Sequence, residues 1–134
     1  MELTVLVADD NADNRAVYVM VLTHFGYRVL EAADGAEAIQ VAHAEHPDLI
    51  LMDLQMPRVT GFQATERLKK DPTTASIPVI AVTALAMEGD RNMAFAVGCD
   101  GYFAKPVEPR ALAAEVRRRI GAPQNGAGPG AAPG

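Results

Sequence analysis

The chain reads as an open α/β sheet of five parallel strands with helices wound over both faces, and three observations predict it. Short apolar runs rich in β-branched residues recur five times and alternate with longer amphipathic stretches, as repeated strand and helix units do. The first, third and fourth runs (LTVLVA, LILM, PVIAV) are continuously apolar rather than alternating, which suits strands covered on both faces. The length of 134 residues accommodates five such units in one domain, whereas a closed eight-stranded barrel needs about twice the chain. Crossovers between parallel strands are right-handed, so helices fall on both sides and the sheet stays open.

The first strand, β1, is placed at residues 3–8 and stops at the pair Asp9–Asp10. The first helix, α1, follows over 12–25, with Ala12, Ala16, Val19 and Met20 at core spacing and Gly26 stopping it in a left-handed cap. Strand β2 covers 28–32. Helix α2 fits 35–45, opened by Asp34 as N-cap and closed before Pro47, because a residue preceding proline avoids the helical region. Strand β3 covers 48–52, and α3 fits 61–70, ending before Asp71-Pro72. Strand β4 covers 78–83, and α4, placed at 87–97, stops at Gly98. Strand β5 covers 101–104. Helix α5 opens with Pro109 in its first turn, where a missing N–H leaves no bond unmade. It turns Leu112, Ala113, Val116 and Ile120 inward and places Arg117, Arg118 and Arg119 in the last turn, where they complement the helix dipole. The runs at β2 and β5 are more mixed, which places those two strands at the edges. Residues 1–120 therefore form the domain. Residues 121–134 (GAPQNGAGPGAAPG) hold no charged, aromatic or large aliphatic side chain and are expected to be a disordered tail, either a terminus or the stub of a linker.

Composition removes several classes. Lys and Arg number 12 against 17 Asp and Glu, a net charge of −5, where a nucleic-acid binder is normally basic. The apolar run at the N-terminus is too short for a signal peptide or a membrane span, and one cysteine, Cys99, can neither staple the fold nor complete a cysteine metal site. A reduced, cytoplasmic setting without membrane or nucleic-acid contact is the expectation. Aromatic residues are 5% and Trp is absent, which speaks against recognition by stacked rings.

In open α/β sheets the working surface lies beyond the carboxyl ends of the strands. Asp9 and Asp10 follow β1, Asp53 follows β3, Thr83 ends β4 and Lys105 lies just past β5. Alone, each has an ordinary reading: the acidic pair as a cap for α1, Thr83 as a strand-end hydroxyl, Tyr102 as a packing residue. Helix caps have no reason to coincide with three other strand ends, so the convergence carries the functional reading. Three adjacent carboxylates repel unless a cation joins them, and a hard divalent ion, best magnesium with retained waters, suits such oxygen ligands. Lys105 and Thr83 can neutralise and hydrogen-bond the oxygens of a phosphoryl group carried by Asp53, a carboxylate being a known nucleophile toward phosphoryl groups. His43 and His46, at i and i+3, have no third ligand nearby and are not read as a metal site.

The acidic pair in VADDN, LMDLQMP around Asp53, Gly61 after it, VTA at β4 and Tyr102-Phe-Ala-Lys105-Pro106 together resemble a response-regulator receiver domain of two-component signalling over residues 3–120. The stretches DDNADNR and VTALAMEGDR look most like receivers of hybrid histidine kinases and related single-domain regulators. The resemblance implies a flavodoxin-like fold with strand order 2-1-3-4-5. It implies that Asp53 is the phosphoacceptor and that Asp10, Asp53 and the backbone carbonyl of Gln55 coordinate Mg2+, with Asp9 assisting through water. Thr83 and Lys105 would bind the phosphoryl oxygens, Thr83 and Tyr102 would form the switch, and Lys105-Pro106 would be a cis peptide. The implied partners are a histidine kinase or histidine phosphotransfer protein and a downstream protein met by the α4-β5-α5 face, in a phosphorelay without a DNA-binding domain. Such a chain is a catalyst only of its own phosphorylation and dephosphorylation. Two positions depart from the pattern: Thr60 stands where an acidic residue often precedes the glycine, and Leu85 offers no polar group to steer water. Competing readings are weaker. An aspartyl-phosphate hydrolase usually carries DxD, but Gln55 follows Asp53 by two; a flavodoxin needs a phosphate-cradling loop after β1; a pseudo-receiver that only docks partners would not need the full acidic set.

Overall fold

The structure, a computed structural model, describes residues 2–123. Its elements are β1 (Thr4–Ala8), α1 (Ala12–His24), β2 (Arg28–Ala32), α2 (Gly35–Glu45), β3 (Leu49–Met52), α3 (Gly61–Lys70), β4 (Val79–Thr83), α4 (Glu88–Ala96), β5 (Gly101–Ala104) and α5 (Pro109–Ile120). All neighbouring strands pair in parallel, in the order β2-β1-β3-β4-β5, so β2 and β5 are the edges as their mixed composition requires.

Alternation along each strand sorts the core into two layers. Leu6 and Ala8 of β1 and Ile50 and Met52 of β3 face α2, α3 and α4, meeting Ala38, Ala42, Ala64, Leu68 and Ala94. Val5 and Val7 of β1 with Leu49 and Leu51 of β3 face α1 and α5, meeting Tyr18, Leu22, Leu112, Ala113 and Val116. The helix ends follow their caps: Asp34 accepts from Glu37 N at the start of α2, and Thr60 and Gln63 form a reciprocal capping box on α3.

The expected inward face of α1 is corrected. Ala12, Ala16 and Met20 face solvent, Met20 at 66% exposure, and Val19 is half-buried; Tyr18 and Leu22 point inward instead. The helix is apolar around much of its circumference, so spacing does not select a face. Burying its two largest inward candidates, a tyrosine and a leucine, removes far more apolar surface from water than burying alanines. At α5, Ile120 lies at the margin of the core while Leu112, Ala113 and Val116 are buried. His43 Nε2 lies 3.3 Å from Asp71 Oδ2, tying α2 to the end of α3.

The expected tail begins within the described residues. Gly121 turns the chain at φ 85°, the Tyr27 hydroxyl donates to its carbonyl at 2.6 Å, and Pro123 is buried. Residues 124–134 lie outside the described residues.

Candidate functional site

Backbone pairing runs one residue beyond three strands and so brings three chemical side chains together. Asp9 N donates to Ala32 O at 3.0 Å, Asp53 N to Ala8 O at 2.9 Å and Lys105 N to Thr83 O at 2.8 Å. Lys105 reaches back across the sheet edge, its Nζ 2.8 Å from Asp9 Oδ2 and 2.8 Å from Asp53 Oδ2. Each carboxylate uses its other oxygen in a local turn: Asp9 Oδ1 accepts from Asn11 N at 2.8 Å, and Asp53 Oδ1 from Gln55 N at 2.9 Å.

Asp9 is 2% exposed and Asp53 5%, while Asp10 is open to solvent. Carboxylate oxygens of the three lie within 4.8 Å of one another. Burial works against the Lys105 ammonium, but the hydrogen bonds it donates to Asp53 and Asp9, with the charges of those carboxylates, more than offset it and hold its pKa above the ordinary lysine value of 10.5. One ammonium leaves the three carboxylates formally in excess. The donor set is all oxygen and one carboxylate faces outward, so the residues fit a hard divalent cation that keeps waters on its open side.

Gly61 lets this packing close. A Cβ there would run into the Asp53 carbonyl, and Gly61 N donates to Leu54 O at 3.1 Å, so α3 starts directly against the loop after β3.

Thr83 is fully buried, its Oγ1 accepting from Leu85 N at 3.2 Å. Tyr102 stands one strand over, with its hydroxyl buried and without a hydrogen-bond partner among the described residues. The Arg91 guanidinium lies 5.8 Å from the Tyr102 ring and 5.4 Å from that of Phe95. Lys105-Pro106 is cis. Cys99 is packed, and burial pushes its thiol up to about 11.

Two residues near the site escaped the sequence reading. Tyr18 borders the narrow space beneath Asp9 and Asp53, and burial raises its hydroxyl pKa. Arg15 donates through Nη1 to the Asp9 carbonyl at 2.7 Å. Its place one turn beyond the Asn11 N-cap was the available signal.

The fold and this sheet edge define a domain of two-component signalling. The profile of the response regulator receiver domain matches residues 5–117, and the chain belongs to that family. It is 37% identical over 121 residues to the polar-differentiation response regulator DivK of Brucella ovis, covering 90% of this chain and 98% of that protein. It is also similar to the structure of the chemotaxis protein CheY4 of Vibrio cholerae, with a TM-score of 0.84 and 29% identity over 90% of this chain and 100% of the other. A third relative is the receiver domain of a sensor histidine kinase from Pseudomonas aeruginosa, solved with a magnesium ion coordinated in its active-site cleft. There the TM-score is 0.83 and the identity 34%, over 91% of this chain and 100% of the other. No helix among the described residues is long and apolar enough to cross a membrane.

Proposed function

We propose that this receiver takes a phosphoryl group on Asp53 from a histidine kinase or histidine phosphotransfer protein and thereby changes the surface it offers to a downstream protein. The observation that carries the reading is the bridge of Lys105 to Asp9 and Asp53, a buried carboxylate pair at the sheet edge that shares a single ammonium. In phosphotransfer the P–N bond of the donor histidine breaks as an Asp53 carboxylate oxygen bonds to phosphorus. Lys105 turns its ammonium to the phosphoryl oxygens, and Thr83 exchanges its contact with Leu85 N for another of them. Asp10, Asp53 and the Gln55 carbonyl would hold magnesium, with Asp9 acting through water. When bound, the ion neutralises charge on the transferring group.

The output follows from the same movement. Displacement of Thr83 gives the Tyr102 ring room to settle inward, and the α4-β5-α5 face, where the Arg91 guanidinium lies over both that ring and the ring of Phe95, becomes the surface read by the partner. Phosphorylation shifts this balance only by its differential affinity for the two states.

Intact mass spectrometry after incubation with acetyl phosphate and magnesium tests the acceptor. Wild type gains one phosphoryl mass, Asp53→Asn gains none, and EDTA abolishes labelling of wild type. Equal labelling of both proteins would refute Asp53 as acceptor, and wild type that never labels would favour a docking module that is not phosphorylated.

A further inference from the structure

The acidic residues after β1 sit where ladder support ends, and one side chain closes the gap. Asp9 N donates to Ala32 O at the end of β2, and Asp9 O accepts from Arg15 Nη1 at 2.7 Å. Through Nε, Arg15 also binds Glu31 Oε1 at 2.9 Å, the residue just before Ala32. The first turns of α1, the end of β2 and the loop thus form a closed ring of contacts around Asp9. The Asp9 carbonyl belongs to the rigid peptide plane that joins Asp9 to Asp10. Fixing that oxygen fixes the plane, and with it the direction in which Asp10 leaves the chain.

We propose that Arg15 is a positioning residue that aims the Asp9–Asp10 carboxylates for cation binding, with Glu31 orienting its guanidinium. The inference rests on the magnesium reading above. Arg15 has two effects of opposite sign. Its positive charge near a cation site weakens binding, while its planar fork orders the peptide that carries Asp9 and the ligand Asp10. The pairing with Glu31 offsets much of the charge, and Arg15 is only 19% exposed, so the ordering effect prevails.

Variants Arg15→Ala, Arg15→Lys and Glu31→Gln separate the two effects. In EDTA, amide exchange at Asn11 reports the Asp9 carboxylate directly, because Asn11 N–H donates to Asp9 Oδ1; exchange at Leu6, in the core of β1, reports the fold. Arg15→Ala is expected to speed Asn11 exchange about tenfold relative to Leu6, as loss of a charge-assisted bond does. By calorimetric titration with magnesium alone, affinity should fall about tenfold in Arg15→Ala, with Arg15→Lys and Glu31→Gln in between. Equal acceleration at Asn11 and Leu6 would make Arg15 a stability residue and overturn the proposal. Magnesium binding by Arg15→Ala as tight as wild type, or tighter, would overturn it too. Wild type that binds no magnesium overturns the functional reading instead, and the metal-free exchange comparison still decides whether Arg15 holds the loop.

Discussion

The two edges of the sheet use aspartate in opposite ways. At the amino-terminal edge Asp48, just before β3, and Asp100, just before β5, each exchange two bonds with the first residue of the neighbouring strand. Asp48 N donates to Thr4 O at 2.8 Å while Thr4 N donates to Asp48 Oδ2 at 2.8 Å. Asp100 N donates to Val79 O at 2.7 Å while Val79 N donates to Asp100 Oδ2 at 2.9 Å, with Lys69 Nζ 3.1 Å away on the same oxygen. Both aspartates are exposed and apart from one another, so water supplies what the amides do not. At the carboxyl-terminal edge Asp9 and Asp53 are buried beside each other, and Lys105 is their shared counter-charge. A carboxylate satisfied by amides in solvent finishes a strand. Carboxylates crowded together out of water keep an unmet demand for cations, and that demand is what a site can use.

Removing the ammonium should have the largest effect. Lys105→Met keeps most of the packing but strands two buried carboxylates, which should cost about 3 kcal/mol in urea melts with EDTA, part of it recovered when magnesium is added. At the other edge Asp100→Ala leaves Val79 N–H without its acceptor and should cost about 1–2 kcal/mol while magnesium affinity stays at the wild-type value. An Asp100 variant as damaging as Lys105→Met would erase the contrast between the edges. Tyr102→Phe removes a buried hydroxyl that has no partner among the described residues, and the same melts should show a gain of up to about 1 kcal/mol. Glu115 sharpens the comparison at its weakest end. The hydrogen bond from Arg118 lowers its pKa, burial works against this, and Arg119 adds to the lowering, so its carboxyl stays below the ordinary value of 4.5. Its contribution is fully present above that value and is lost as pH falls through the lower folded one. The small stability gap between wild type and Glu115→Gln should therefore close on acidification.

Most of the site was legible because strand ends are legible. Continuous apolar runs that stop at Asp9, Asp53 and Thr83 locate the sheet edge without knowledge of any contact, and a parallel sheet does the rest. Helix α2 was placed correctly because Asp34 announces its cap in local sequence, and α3 because Asp71-Pro72 marks its end; the capping box of Thr60 and Gln63 that opens α3 emerged only in the structure. The inward face of α1 was not legible, since a helix apolar on several sides is oriented by what it packs against. Arg15 escaped for a related reason: its role depends on Glu31, which only the pairing of β2 with β1 brings within reach. The return of Gly121 to Tyr27 and the burial of Pro123 likewise belong to tertiary structure, because nothing in a Gly/Ala/Pro-rich segment marks a docking point.

The division between the two edges is tested most directly by one magnesium titration, followed by calorimetry on wild type, Asp9→Ala, Asp10→Ala, Asp48→Ala and Asp100→Ala. Binding should be lost or strongly weakened in Asp10→Ala, weakened less in Asp9→Ala, since Asp9 is proposed to act on the ion through water, and unchanged in the other two. Loss of binding in Asp48→Ala or Asp100→Ala equal to that in Asp10→Ala would contradict the assignment of the working carboxylates to the carboxyl-terminal edge.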